Sequence, residues 1–173
     1  MNTVVPLLSS LVSLAFALVV LDQYLARRQT YQFIWAAGLF MYFIATGCEF
    51  IIGAFDFNAT AYRLWYLFGA VFVAAYLGLG TTYLMAPRQF TRVVVMVLLA
   101  LSAVAVRKTF AAVVDPAPVI ARLAGGDTLS GLAFPKGLSG PRFLTPLFNT
   151  YGAAALIGGA SYSAWTFWRR RIM

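Results

Sequence analysis

Long apolar runs separated by short clusters of charge organise the whole chain, and they predict membrane-crossing helices rather than soluble elements. A helix needs about 18 or more mostly apolar residues to cross the hydrocarbon of a bilayer. Residues 4–21 make the first such run, with Pro6 tolerated in its first turns and Asp22 expected to close it. Residues 31–54 make the second, uncharged up to Glu49. Residues 64–86 are the cleanest; as a helix they reach about 34 Å, enough to span with some tilt, and Pro87 ends them. Residues 93–106 are short for a span, but Arg92 and Arg107 at their ends can snorkel and lengthen it. Residues 144–168 form a fifth uncharged run, with Pro146 near its start. The expected fold is an all-α integral membrane helical bundle of about five transmembrane helices, a single membrane domain over residues 1–173.

The one long connection, residues 108–142, is rich in Gly and Pro. Within it Asp115, Pro116 and Gly125 stand in the order of helix start and stop signals, which predicts a short interfacial helix over about 116–124. Basic residues then set the orientation. Arg27, Arg28, Arg88, Arg92, Arg169, Arg170 and Arg171 fall on one side of the expected topology, with Asp22 the only acid near them. The opposite short loop has Arg63 against Asp56. Short cytoplasmic loops collect arginine and lysine, so the N-terminus is expected outside, the C-terminus in the cytoplasm and residues 108–142 on the extracytoplasmic side. No positive charge precedes the first run, which reads as an uncleaved anchor rather than a secretory signal. Trp35, Trp65, Trp165 and Trp168 all fall near an expected interface, where indole rings prefer to sit.

Composition supports this picture and narrows the chemistry. The chain is 62% hydrophobic and 10% charged, against roughly 45–50% and 25% in soluble domains. Its net charge of +8 sits in clusters between apolar runs, as loops facing anionic lipid do, and no nucleic-acid partner is expected. The only cysteine, Cys48, lies deep in an apolar run and reads as a small buried hydrophobe. Histidine is absent, which removes the usual haem ligand, catalytic base and zinc ligand. Lys108 and Lys136, the only lysines, fall outside the spans, so no retinal Schiff base is expected. With four aspartates and one glutamate a carboxylate-rich metal site is hard to assemble. No P-loop, metalloprotease helix or nucleophile elbow occurs. The sequon Asn58-Ala59-Thr60 is a weak match with meaning only in a eukaryotic secretory setting. No enzyme activity, metal or cofactor is expected.

Three groups of residues carry what functional signal there is. Glu49 is an ionisable group within a membrane helix, and Arg63 opens the next helix after a short turn. Together they read as a structural ion pair, or Glu49 is a hydrated carboxylate at the interface, or it serves as a proton or cation site. Tyr62, Tyr66, Gly69, Val73, Tyr76, Gly80 and Tyr83 recur at spacings of four and three. Such a stripe is a packing seam, or else an aromatic groove for a lipid, quinone or carotenoid. In the fifth run Gly152, Ala155, Gly159 and Ser163 are small residues at helical spacing, suited to close helix contact within the chain or with another subunit. Thr145, Asn149 and Thr150 are placed to satisfy backbone groups freed by Pro146 or to meet a ligand.

The stretch Tyr62-Arg63-Leu64-Trp65-Tyr66-Leu67-Phe68-Gly69, preceded by Glu49, resembles a helix pair in the seven-helix membrane sensor region of some bacterial histidine kinases. The resemblance covers residues 31–85 and implies a structural role for Glu49 and Arg63. About five spans, and no kinase or other effector after Arg171, depart from that pattern, so a sensing role would need an output from a partner chain. The expectation is a non-catalytic protein of the cell membrane, of the bacterial inner-membrane type, that works through helix contacts. It would be an accessory or assembly subunit of a larger membrane complex, or a sensor-like module, with other membrane subunits or its own copies as partners. The alternatives are a small homo-oligomeric channel or carrier with Glu49 in the path, and a lipid-, quinone- or carotenoid-binding bundle.

Overall fold

Apolar residues on every face leave these segments nowhere to bury in water, and in lipid each must satisfy its own backbone, which a helix does. The computed structural model of the protein describes residues 3–172, with side chains through Arg169, and among them every regular element is a helix. In chain order these are α1 (Val4–Arg27), α2 (Thr30–Ala54), α3 (Ala59–Met85), α4 (Arg88–Ala111), the short α5 (Ala117–Ala124) and α6 (Leu144–Ile172). Two 3-10 turns, Gly131–Ala133 and Pro141–Phe143, punctuate the stretch between α5 and α6.

Helices α1 to α4 are long and apolar enough to cross a membrane. Helix α4 extends residues 93–106 by more than a turn at each end: its 24 residues span about 36 Å, so arginine-bearing ends give the short uncharged core the length to cross. Asp22 does not close α1, which runs on to Arg27 because a helix leaving hydrocarbon keeps its backbone bonds and admits charge once in water. Arg28 ends it in the left-handed region at φ 54°, its N–H bonded to the Tyr24 carbonyl. Helix α6, at 29 residues, has the length to span but falls outside the four that are apolar enough, because Thr145, Asn149, Thr150, Ser161 and Ser163 dilute its hydrophobicity.

The bundle is centred on α3, which packs between α2 and α6, with α4 against its middle. Helix α1 lies almost wholly on α2. Its contact face is Pro6, Ser10, Ser13 and Ala17, small residues at spacings of four, three and four. Ser10 donates across it to the Phe43 carbonyl at 3.2 Å. The opposite face, with Leu11, Phe16 and Val19, is exposed, as are Val93, Met96 and Val97 on α4. On a chain of this composition such faces belong to lipid or to another helix.

Helix α3 is not uniform. Residues Tyr66–Phe72 form a π-helical segment, where the Val73 N–H bonds to Phe68, five residues back. A π-turn inserts an extra residue and rotates the later part of the helix by about 100° against the earlier part. Within it the Ala70 carbonyl accepts a bond from Asn149 Nδ2 of α6 at 3.2 Å.

Residues 112–143 fold over the end of the bundle where α3 begins. Asp115 stands one residue before the N-cap of α5, and its side chain accepts the Ala117 N–H at 3.1 Å. Pro116 is the N-cap rather than the first helical residue, and the left-handed residue after the helix is Gly126, at φ 85°, rather than Gly125. Val119, Leu129, Ala133 and Phe134 are buried in the same core as α3. The long connection is thus a packed cap rather than a loose surface loop.

Candidate functional site

Glu49 and Arg63 do not form the expected ion pair. The one salt bridge among the described residues joins Arg122 and Asp127, at 4.0 Å and exposed. Arg63 instead sends Nη2 to the Ala112 carbonyl at 3.1 Å. Ala112 is the C-cap of α4, where helix carbonyls lack partners and the helix dipole is negative, so the guanidinium serves there as a C-terminal cap. Glu49 is half-buried, with the Trp65 indole near it. Residues two apart on a helix point about 200° away from each other. Arg63 and Trp65 therefore leave α3 in different directions, the first towards the end of α4 and the second towards the acid on α2.

The tyrosine stripe does not act as one seam. Tyr62 is fully buried; its hydroxyl donates to the Ser130 carbonyl at 2.7 Å and accepts the Ala133 N–H at 3.2 Å, pinning the connection to α3. Tyr66 bonds Thr145 of α6 at 2.8 Å. Below the π segment Tyr76 bonds Ser102 of α4 at 3.0 Å, and Tyr83 reaches the far end of the bundle, partly exposed. Gly69 and Gly80 meet α2 instead: a Cβ on Gly69 would lie 3.0 Å from that of Ala45, and one on Gly80 2.3 Å from the Trp35 ring. The space at Gly80 lets the Trp35 indole reach the Leu77 carbonyl at 3.1 Å. The stripe is thus divided among the connection, α6, α4 and α2, as the extra residue of the π-turn requires.

At the capped end these contacts build an aromatic cluster. Phe134 sits 4.7 Å from Tyr66 and 5.3 Å from Tyr62, ring centre to ring centre, and Phe57 lies 5.5 Å from Tyr62. Gly131 is required here, since a Cβ would stand 2.6 Å from the Tyr66 ring. No periodicity in the sequence points to Phe134, Gly131 or Ala112, because each acts through a neighbour distant in the chain. Outside the cluster, Ile52, Phe55, Asp56, Pro116 and Ile120 line a cavity of about 580 Å³ between the end of α2 and α5.

The small residues of α6 split in the same way. Gly152 lies against the α3 backbone, where a Cβ would come 2.3 Å from the Ala74 carbonyl. Ala155 touches the position of Gly78, and Gly159 meets Thr81 and Met85. Ser163 is exposed. Thr145 and Asn149 both bond α3, while Thr150 is exposed and Tyr151 shares its hydroxyl with Thr82 at 2.9 Å. No three of His, Cys, Asp and Glu come together among the described residues as a group able to hold a metal ion. No protein-family model, curated protein or solved structure matches the chain, and the resemblance of residues 31–85 to kinase sensor regions rests on its quoted residues alone.

Proposed function

We propose that the protein is a non-catalytic membrane subunit that works through helix contacts, as an accessory or assembly component of a larger membrane complex or as a homo-oligomer. The observation that carries this reading is the state of α6 beyond Gly159. There the helix runs past Met85, the last residue of α3, and Ser161, Tyr162 and Ser163 are exposed; on the turn before it a Cβ on Gly158 would have no neighbouring atom within 4 Å. A helix less apolar than the other four, exposing Gly158, Ser161 and Ser163 beside the large Tyr162, Trp165 and Trp168, suits the side of another helix. In this reading α6 is the fifth span, the N-terminus is outside, and the arginine-bearing turns face the cytoplasm of a bacterial inner membrane.

Purification in a mild detergent followed by crosslinking tests the proposal. The parent is expected to run as an oligomer or with a stable second subunit, and Gly158→Leu with Ser161→Leu to release it. A parent chain that is monodisperse, monomeric and alone under those conditions overturns it. A second reading, a channel or carrier path through Glu49, is favoured by a half-buried carboxyl with no cationic partner among the described residues. Proteoliposome flux that falls in Glu49→Gln while the oligomer persists would favour this path over the assembly role.

A further inference from the structure

The end of the bundle opposite the cap holds a cavity of about 440 Å³, framed by the α1–α2 turn, the end of α3 and the start of α4. Its volume falls within the roughly 300–1,000 Å³ typical of small-molecule sites. Arg88 and Arg92 line it one helical turn apart, with Thr91, Tyr31 and Tyr83 around them and Met96 on the wall. Two like charges at this spacing repel each other. Neither has an acidic partner among the described residues, where the one ion pair lies in the α5 region. Helices α2 and α4 both begin at this cavity, and neither N-cap, Gln29 or Pro87, supplies a side-chain bond to the free N–H groups of the first turn. Unpaired guanidinium groups and uncapped helix starts converging on one space make a site for an oxyanion.

We infer that this cavity binds a phosphate group, with Arg88 and Arg92 as its principal ligands. The wall adds a preference for the source. Val95 and Met96 continue the cavity along α4 beside its exposed apolar face, so a phosphate seated at the arginines leaves room for an attached acyl chain to follow the helix. A phospholipid headgroup fits both halves of the cavity, whereas a free phosphate uses only the polar half.

Native mass spectrometry of the full chain in mild detergent, with phosphatidylglycerol or phosphatidylcholine added, tests the assignment. The parent is expected to retain phosphatidylglycerol, and Arg88→Gln with Arg92→Gln to lower that retention about tenfold or more. Arg27→Gln with Arg169→Gln removes equal charge from the same end but touches no part of the cavity, and is expected to bind like the parent. Arg88→Lys with Arg92→Lys keeps the charge and is expected to restore much of the binding, which separates a lost site from a lost fold. Retention that survives millimolar inorganic phosphate assigns the lipid as source; displacement by phosphate assigns a soluble one. Equal loss in the two glutamine pairs, or no binding of either probe by the parent, overturns the inference.

Discussion

Single atoms decide how closely the helices of this bundle approach. At Gly152 an added methyl would meet the backbone of α3, which cannot swing aside as a side chain can, whereas at Gly158 it would meet nothing. Gly152→Ala is therefore expected to destabilise the protein by about 1–3 kcal/mol through overpacking. Gly158→Ala is expected to leave monomer stability unchanged or raise it by roughly 0.5–1 kcal/mol, since alanine loses less backbone freedom in a helix. Midpoints of unfolding in mixed detergent–SDS micelles compare the two directly. The regular spacing of Gly152, Ala155 and Gly159 made close contact legible in the sequence, but the spacing is silent about which helix lies opposite. That required the position of α3.

Among the elements, α3 is the one whose shape departs from its sequence pattern. Its stripe is spaced for a straight helix, and the π segment Tyr66–Phe72 turns the two halves against each other. Asn149 is tied to this segment through the Ala70 carbonyl. Asn149→Leu is expected to cost roughly 0.5–2 kcal/mol, the scale of one interhelical hydrogen bond in a membrane protein. Its effect should add to that of a Ser102→Ala change, which removes the Tyr76 bond on α4 and shares no partner with Asn149. Unfolding midpoints of the two single variants and the double variant measure this. The small-residue face of α1, Pro6, Ser10, Ser13 and Ala17, was not read in the sequence and emerges only from the packing, because α1 lies on α2 and makes little contact elsewhere.

For the whole molecule, the two ends differ in kind. One end carries the connection packed on Tyr62 and Tyr66; the other carries the arginine-bearing turns and the open cavity. In the proposed orientation the cap is outside. With Cys48→Ala as background, Thr128→Cys is expected to react with a membrane-impermeant maleimide added to intact cells, and Gln89→Cys only after the membrane is opened. Both positions are exposed, so access is decided by the side of the membrane and not by burial. The reverse pattern would invert the topology and place the phosphate site outside.

Hydropathy along the chain predicted five helical spans, of which four are helices long and apolar enough to cross a bilayer and the fifth, over residues 144–168, is a helix but not apolar enough, because transfer into lipid depends on each segment's own composition. Local capping chemistry likewise placed α5 between Asp115 and the glycines just past its end. Tertiary structure alone decided the rest. Arg63 caps α4 rather than pairing with Glu49, Phe134 joins the tyrosines of α3, and Arg88 and Arg92 meet across a cavity from the α1–α2 turn. Each of these joins residues far apart in the chain, and which polar group finds which partner depends on helix rotation and on the π-turn, quantities that no single segment encodes.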